Sequence, residues 1–421
     1  MPASDSSYLP RIADDVIARE LATVGAVVIE GPRAVGKTAT ASRLAATTIR
    51  LDVDRQAREL AELEPSLLLS GARPILLDEW QLVPALWDHI RRAVDDAGGE
   101  PEQFLLTGSA MPIDDIARHT GAGRISRIRM RTMSSFESGA SRGAVSLRAL
   151  LDGGAAPSPG TTRSLHETAE LIARGGWPAT ARASQSRAER FPQAYLTALI
   201  DNDLPALAGR PRDPSALERF LTAYAQVTGA PIPLAKIVRR AFGDSTSGFT
   251  AETADRYRVA AERLMVIEDL PAWSPALRSR SRLVSTAKRY FSDPSIAAAL
   301  LGVDSRGMVG DLNTMGSLFE NLVVRDLRCY ADAIGARTFH YRESSGALEA
   351  DVIVTTPDGA WMAFEIKLGG SRIDEAAAAL ISLGESRVQT TPRALVVVIP
   401  SGAAFRRPDG VWVVPADQLG P

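Results

Sequence analysis

The stretch that decides the fold reads Gly31-Pro32-Arg33-Ala34-Val35-Gly36-Lys37-Thr38. It satisfies the pattern G-x-x-x-x-G-K-[ST], with an apolar, strand-like run before it and an Ala-rich, helix-like run after it. The glycines let successive backbone N–H groups point at phosphate oxygens, and the positive end of the following helix reinforces that attraction. The stretch therefore predicts a P-loop that binds a nucleoside triphosphate, with ATP as the expected nucleotide.

The two residues that end this loop have distinct expected roles. Lys37 reaches the β- and γ-phosphates, and the Thr38 hydroxyl ligates Mg²⁺. The whole loop and the residue after it are expected to contact the nucleotide. Those positions are Gly31, Pro32, Arg33, Ala34, Val35, Gly36, Lys37, Thr38 and Ala39.

A second element with the matching chemistry is the run Pro74-Ile75-Leu76-Leu77-Asp78-Glu79. An apolar strand that ends in two acids places carboxylates at the edge of the sheet where the P-loop lies. Asp78 is expected to hold Mg²⁺, and Glu79 to orient and deprotonate the attacking water. The alternative is a pair of acids that caps a turn after a buried strand.

The next predicted strand ends in Thr107-Gly108-Ser109, and Gly121-Ala122-Gly123-Arg124 precedes the strand after it. At such a strand end, Thr107 or Ser109 can sense the γ-phosphate, although an ordinary turn explains the pattern equally well. Arg124 can place a guanidinium group on the transferring phosphoryl group, in cis or from a neighbouring subunit of a homo-oligomer. The alternative is an arginine-rich face on an edge strand.

Composition sets the broad class of the protein. The chain has 421 residues, a net charge of −2, 45% hydrophobic residues and one cysteine. That length indicates several domains, and the single cysteine excludes an intramolecular disulfide and a cysteine zinc cluster. No apolar run approaches the roughly 20 residues that span a bilayer, and the N-terminus lacks the pattern of a signal peptide. We therefore expect a cytoplasmic protein without a membrane partner.

Short apolar runs alternate with helical patterns over the first 131 residues, which predicts a largely parallel sheet. The predicted strands are 26–30, 48–53, 74–78, 103–107 and 124–131. A Gly/Pro/Ser-rich interval at 151–162 then predicts a loop or hinge, and 166–208 has a helical pattern.

The middle of the chain has the element order of a winged helix. Helices are predicted at 217–228, 234–242 and 250–265, followed by a hairpin at 269–292. Basic side chains outnumber acidic ones there, as a surface that contacts DNA phosphates requires. The alternative is a winged helix that packs against another domain. The basic residues are Arg256, Arg258, Arg263, Arg278, Arg280, Arg282, Lys288 and Arg289.

The spacing of the acidic residues in the C-terminal segment is typical of a metal-dependent nuclease. Asp351 lies in an apolar strand, and Glu365-Ile366-Lys367 ends the next one. A hairpin brings these side chains together, so that Asp351 and Glu365 can hold Mg²⁺ and Lys367 can position water. Glu320, in the preceding helix, can complete the cluster. The alternative is a buried ion pair without a metal.

These motifs together resemble a family that joins an AAA-type ATPase module to a C-terminal region called DUF4143. The matching segments are 31–38, 76–79, 106–109, 121–124, 130–134, 175–178, 316–321 and the set Asp351, Glu365, Ile366 and Lys367. The resemblance implies an ATPase core, a winged-helix middle and a C-terminal fold like the PD-(D/E)XK nucleases. By the same motif match it implies that Lys37 and Thr38 are nucleotide ligands and that Asp78 and Glu79 act on the metal and the water. It also implies that Glu320, Asp351, Glu365 and Lys367 form the nuclease-like catalytic cluster. A departure is the helix after Lys367, which lacks the additional Lys or Gln of some active nucleases of that fold.

The resulting expectation is a multidomain α/β protein. Its predicted parts are an N-terminal arm (1–20), a P-loop ATPase core (21–140), a hinge and helical linker (141–208), a winged-helix-like domain (209–300) and a nuclease-like domain (301–421), with the DUF4143 region at about 165–370. The leading hypothesis is an ATP- and Mg²⁺-dependent switch or motor that acts on DNA. The second is an ATP-binding regulatory module, or a toxin or defence component, whose nuclease-like domain is catalytically silent.

Overall fold

The computed structural model describes residues 8–108, 121–209, 214–243, 250–274, 286–343, 348–386 and 390–421. The chain divides into two compact units. The N-terminal unit comprises the chain up to Thr132 together with Arg263–Met265, and the C-terminal unit comprises Met133–Glu262 and Val266–Pro421. Among the residues described, none of the helices combines the length and apolar character that a membrane crossing needs.

The N-terminal unit is built on a five-stranded parallel sheet, as the alternating pattern predicts. The strand order is β2-β3-β4-β1-β5. Residues on both faces of the central strands are apolar and buried, which is typical of a parallel sheet covered by helices on both sides. The strands are β1 (Ala26–Glu30), β2 (Thr47–Arg50), β3 (Ile75–Asp78), β4 (Phe104–Gly108) and β5 (Ile125–Arg129).

Helices connect these strands and share one apolar core with them. The helices are α1 (Ile12–Leu21), α2 (Lys37–Leu44), α3 (Arg55–Leu63), α4 (Pro65–Leu68) and α5 (Leu86–Asp96). α3 begins where the Asp54 carboxylate accepts a hydrogen bond from the Ala57 backbone N–H, so a side chain caps its first turn. Trp80 and Trp87 pack against each other with ring centroids 5.3 Å apart inside the core under the sheet.

The strand order decides which residues meet at the carboxyl edge of the sheet. β4 lies between the strand that leads into the P-loop and the strand that carries the acids. Glu30 is therefore in register with Gly108, and Asp78 with Thr107. The three strand ends lie side by side, and the loops that follow them lie at one edge.

The first part of the C-terminal unit is helical. Its helices are α6 (Leu147–Asp152), α7 (Leu165–Arg174), α8 (Gln185–Ala198), α9 (Leu204–Ala208), α10 (Pro214–Ala225), α11 (Leu234–Phe242), α12 (Ala251–Arg263), α13 (Pro294–Leu300) and α14 (Ser305–Gly310). The Gly/Pro/Ser-rich interval lies mainly between α6 and α7, as a loop. Ser158 and Thr161 bond to the backbone near Gly402, so this loop is anchored within the unit.

The segment predicted as a winged helix contains α10, α11 and α12 in the expected order. After them, Ile267 pairs with Phe291 and Leu270 with Lys288, in two isolated antiparallel bridges. Residues 275–285, which include Arg278, Arg280 and Arg282, lie outside the described residues. The winged-helix assignment stays a prediction.

The last part of the C-terminal unit combines one long helix with a mixed sheet in the order β11-β12-β10-β9-β8-β7. The neighbours β7, β8 and β9 are antiparallel, whereas β9, β10 and β12 are parallel. A small separate pair, β6 (Val145–Ser146) with β13 (Leu419–Gly420), joins the two ends of this unit. The elements are α15 (Leu312–Ala333), β7 (Arg337–Arg342), β8 (Glu349–Thr355), β9 (Trp361–Ile366), α16 (Ile373–Ser386), β10 (Ala394–Ile399), β11 (Phe405–Arg406) and β12 (Trp412–Pro415).

A buried ion network holds α15 to the segments around it. The Arg325 guanidinium lies 3.1 Å from Asp293 and 2.8 Å from Asp326, and all three side chains are almost completely buried. Asp293 also accepts the backbone N–H groups of Gly176 and Ser295 at 2.9 Å. The carboxylate therefore caps α13 and neutralises an arginine at the same time.

Substituting Asp293→Ala should destabilise the C-terminal unit strongly. It leaves a buried guanidinium short of one counter-charge and uncaps α13, for an expected loss of about 3–5 kcal/mol. The matched control is Asp304→Ala, because Asp304 also caps a helix but is exposed, and it should cost only about 1 kcal/mol. Denaturant unfolding of both variants measures the difference; equal losses would contradict the role of the buried network.

Candidate functional site

The P-loop runs between β1 and α2 and contains two residues in the left-handed backbone region, Ala34 at φ 63° and Gly36 at φ 95°. Gly36 supplies that conformation without strain at the residue that caps α2. Gly31 is required for a different reason: a Cβ there would collide with the Met130 carbonyl oxygen. The loop therefore packs directly against the backbone that follows β5.

Lys37 is held by the loop itself. Its ammonium group donates hydrogen bonds of 2.8 Å to the carbonyl oxygens of Gly31 and Pro32. Burial lowers the pKa of Lys37 to about 8, although the charges of Glu79 and Asp78 partly oppose that effect. Because neutral carbonyls compensate the charge incompletely, an anion brought into the loop would stabilise the protonated form.

Two predicted site residues donate hydrogen bonds to the carboxylate of a third, Asp78. The Thr38 hydroxyl donates to Asp78 Oδ1 at 2.7 Å, and the Thr107 hydroxyl donates to the same oxygen. Asp78 and Thr107 are almost fully buried at the ends of neighbouring strands. The structure therefore brings together both residues predicted to hold Mg²⁺. It also gives Thr107 a partner in Asp78, whereas Ser109 lies outside the described residues.

Glu79 follows β3 directly and is half-buried, with a left-handed backbone at φ 56°. Its carboxylate accepts a hydrogen bond from the side-chain amide of Gln81. That amide holds the carboxylate at the same edge of the sheet as Asp78. The role of Glu79 in activating water stays a prediction.

The donor set fits Mg²⁺ bound together with a nucleotide. Mg²⁺ prefers hard oxygen ligands and is usually held by one or two protein groups plus phosphate oxygens and water. The Thr38 hydroxyl and the Asp78 carboxylate are ligands of that kind. Within the described part of the chain, no group of three or more His, Cys, Asp or Glu side chains could hold a metal by protein ligands alone.

The structure does not bring Arg124 to the P-loop of its own chain. Ile125 is in register with Ala26 at the start of β1, whereas the P-loop follows the end of that strand. A strand of this length places Arg124 about 13 Å from the loop edge. Its guanidinium pairs with Asp95 at 2.5 Å. Of the two alternatives for Arg124, action in cis is therefore incompatible with this strand register.

The sequence did not predict that residues before α1 contact and stabilise the P-loop. The buried guanidinium of Arg11 donates to the Val35 carbonyl at 2.7 Å and to the Arg131 carbonyl at 2.8 Å. The Tyr8 hydroxyl bonds to Asp14 and lies 2.7 Å from the Thr40 hydroxyl on α2. A tyrosine and an arginine ahead of a helix form no recognisable pattern, so nothing in the sequence pointed to this role.

The C-terminal unit assembles the predicted acidic cluster, but around a lysine. The Lys288 ammonium lies 2.7 Å from Asp351, 3.1 Å from Glu349 and 3.2 Å from Glu320. Its side chain is 2% exposed. The Tyr290 hydroxyl also donates to the Glu320 carboxylate. Lys288, Glu349 and Tyr290 were absent from the predicted site.

The remaining predicted residues of the cluster form a second ion pair. Lys367 Nζ lies 2.5 Å from Glu365 Oε2 and 3.9 Å from Asp351 Oδ2. The backbone N–H of Ile366 donates to that same Asp351 oxygen at 2.9 Å. The hairpin therefore does bring Asp351, Glu365 and Lys367 together.

Burial and charge determine the protonation of this cluster. Burial raises the pKa of Glu320 to about 7 and that of Glu365 to about 8, and the Asp351 charge adds to both shifts. Burial also acts to raise the pKa of Asp351, but the ammonium groups of Lys288 and Lys367 outweigh it, so the pKa lies below its ordinary value. The surrounding carboxylates overcome the effect of burial on Lys288 and hold its pKa well above the ordinary value.

Two residues of the predicted DNA-binding surface do not lie on the surface of the unit. Lys288 is buried in the acidic cluster, and the buried Arg289 pairs with Asp269. Neither side chain can contact phosphates from the surface, because both charges are satisfied inside the unit. Arg258 lies between Asp255 and Glu262 at 2.7 Å and 2.5 Å, which offsets its charge.

Comparisons with known families match three parts of the chain. A model described as an AAA domain matches residues 24–138. Two models of domains of unknown function, DUF8612 and DUF4143, match residues 165–307 and 315–419. The chain thus carries an AAA domain over the P-loop and sheet of the N-terminal unit and a DUF4143 domain at the C-terminal end. The AAA match supports ATP binding and hydrolysis by the N-terminal unit.

Two solved structures show weak similarity. The Walker-type ATPase PABY2304 of Pyrococcus abyssi is 14% identical, with a TM-score of 0.43, over 70% of this chain and 97% of that one. A point mutant of Thermotoga maritima RuvB is 16% identical, with a TM-score of 0.26, over 62% of this chain and 87% of that one. Neither similarity is close enough to assign a function. No curated protein matches.

The affinity for ATP should fall as the pH rises through about 8. The phosphates bind the protonated form of Lys37, and above its pKa of about 8 the free protein must first take up a proton. The affinity should then fall by up to tenfold per pH unit. Calorimetric titration at pH 7, 8 and 9 in buffers of different ionisation heat measures both the affinity and the proton uptake.

The control is Lys37→Arg, since a guanidinium group stays protonated throughout this range. Any pH dependence that arises from the nucleotide itself should remain in this variant, and the proton uptake should disappear. Identical pH profiles for the wild type and Lys37→Arg would show that Lys37 is not the titrating group.

Proposed function

We propose that the N-terminal unit hydrolyses ATP with Mg²⁺. This proposal rests on one observation: the Thr38 hydroxyl donates a hydrogen bond to the buried Asp78 carboxylate beside the P-loop. A hydroxyl and a carboxylate in contact are the pair that a nucleotide-bound Mg²⁺ requires from a P-loop protein. The AAA domain over these residues supports the same reaction.

Some residues of this site would bind the nucleotide and the metal, and others would act in the chemical step. The backbone N–H groups of the loop and Lys37 would hold the β- and γ-phosphates. Thr38 and Asp78 would hold Mg²⁺, which neutralises charge that develops on the phosphates. Glu79 would take a proton from the attacking water, with Gln81 keeping its carboxylate oriented.

An arginine from a second copy of the chain would complete this site. Arg124 lies at the opposite edge of the sheet from its own P-loop, and 43% of its side chain is exposed. An exposed guanidinium so placed can act in trans on the transferring phosphoryl group. This part of the proposal requires a homo-oligomer.

Glu79→Gln should lower the turnover of ATP by about 10²-fold or more while ATP still binds, because the amide cannot accept the proton. Lys37→Ala should lose binding as well, because it removes the cation that meets the phosphates. The control is Glu100→Gln, an exposed position of the same unit. Phosphate release and nucleotide titration separate the two effects; full turnover in Lys37→Ala would refute the proposal.

We further propose DNA as the partner of the helical part of the C-terminal unit. α11 carries three exposed cations, Lys236, Arg239 and Arg240, and no acidic residue. Arg256 is exposed on α12, the next helix. A basic helix face in a protein of net negative charge is suited to contact a phosphate backbone.

The double substitution Lys236→Gln and Arg240→Gln should weaken binding of duplex DNA. Each lost phosphate contact lowers the salt dependence of log K by about 0.9, so the slope should fall by about two. The matched control is Arg187→Gln with Arg190→Gln, two exposed arginines on α8. Fluorescence anisotropy over a salt series measures both. Equal slopes for the two variants would contradict DNA contact by α11, and a chain that binds no duplex at low salt would favour a protein partner.

A further inference from the structure

We propose that Lys288 occupies the place of a divalent metal in the C-terminal acidic cluster, so that this cluster is closed to Mg²⁺ and Mn²⁺ in the wild-type chain. The cluster consists of Glu320, Glu349, Asp351 and Glu365. The inference concerns these residues alone and does not depend on ATP hydrolysis by the other unit.

The first argument is the match between donors and acceptors. An ammonium group has three N–H donors, and Lys288 has three carboxylates within 3.2 Å. The acceptors come from two elements, Glu320 from α15 and the other two from β8. Lys288 reaches them from a third segment, outside both elements. The ammonium therefore lies at the point where the three carboxylates converge.

The second argument is the occupancy of the individual oxygens. Asp351 Oδ1 accepts from Lys288, and Oδ2 accepts from the Ile366 backbone N–H. Glu320 Oε1 accepts from both Lys288 and Tyr290. Glu365 Oε2 accepts from Lys367. Each carboxylate predicted to hold the metal thus already has a lysine of its own.

The third argument is that Lys288 is fixed in place. Its backbone N–H donates to the Leu270 carbonyl at 3.0 Å, and the Leu270 N–H donates back to the Lys288 carbonyl at 2.9 Å. The side chain is 2% exposed, so almost none of it contacts solvent. A Mg²⁺ ion needs oxygens at about 2.0–2.1 Å and would have to displace this buried cation, since both cannot share the same oxygens.

These observations do not fit the metal-dependent nuclease expected from the resemblance. Asp351 and Glu365 were expected to hold Mg²⁺, and Lys367 to position water. The geometry instead makes the cluster a satisfied network of buried ion pairs. As the side chains now stand, these carboxylates form no metal site. Removal of the lysine would free their oxygens to move onto a cation, so that the site is latent.

The test is a titration of the nucleotide-free, full-length protein with Mn²⁺ alone, with free Mn²⁺ followed by electron paramagnetic resonance. Wild type should show no site that depends on Asp351. Lys288→Met, which keeps the length of the side chain but removes its charge, should gain one site that binds at least tenfold more tightly than anything in wild type. Adding Asp351→Asn to this variant should abolish the gain.

Thermal unfolding gives a second readout that remains valid if Lys288→Met folds poorly. Removing the lysine leaves buried carboxylates without a counter-charge, so the variant should unfold at a lower temperature than wild type. Mn²⁺ should raise the unfolding temperature of Lys288→Met, or restore its folded circular dichroism spectrum, and leave wild type unchanged. Arg337→Met, at an exposed cation of β7, is the control and should respond as wild type does.

Two results would overturn the proposal. The first is wild-type protein that binds Mn²⁺ and loses it on Asp351→Asn, since the lysine would then not exclude the metal. The second is a Lys288→Met protein that neither binds Mn²⁺ nor is stabilised by it, whether or not it folds, since the oxygens would then not form a latent site.

Discussion

A charge that is removed from water must be compensated within the protein, and this requirement shapes both units. In the C-terminal unit, Arg325 lies between two aspartates and Lys288 among three carboxylates. These contacts tie α15 to segments that are distant along the chain. Loss of the carboxylates around Arg325 or Lys288 would leave a buried positive charge uncompensated. These ion pairs therefore stabilise the packing of the unit.

The two buried lysines meet this requirement in opposite ways. Lys37 is held by two neutral carbonyls, and burial lowers its pKa to about 8. Lys288 is held by carboxylates, which keep its pKa well above the ordinary value. An incompletely compensated ammonium favours an incoming anion, as a phosphate-binding loop requires. A fully compensated ammonium group, such as that of Lys288, gains no stabilisation from a further anion. It also excludes a second cation from the same oxygens.

This contrast assigns different roles to the two acidic sites of the chain. Asp78 receives hydroxyl groups from Thr38 and Thr107, which are neutral neighbours that leave its charge available to a metal. Asp351 receives an ammonium group. In the function proposed here, chemistry takes place at the P-loop, and the helical part of the C-terminal unit binds DNA. The second acidic cluster then contributes stability and not catalysis.

The sequence by itself determined the P-loop, the acids at the end of β3 and the alternation that gives a parallel sheet. Each of these is a local pattern, formed by residues that are close together along the chain. It also indicated that Asp351, Glu365 and Lys367 meet, since a hairpin joins them. Only the tertiary structure decided the strand order, and with it the distance of Arg124 from the loop. Only it placed Lys288 beside Asp351, 63 residues away. A lysine in a basic stretch has the same local pattern on a surface as in a core, and the carboxylates that surround it are brought there by other elements.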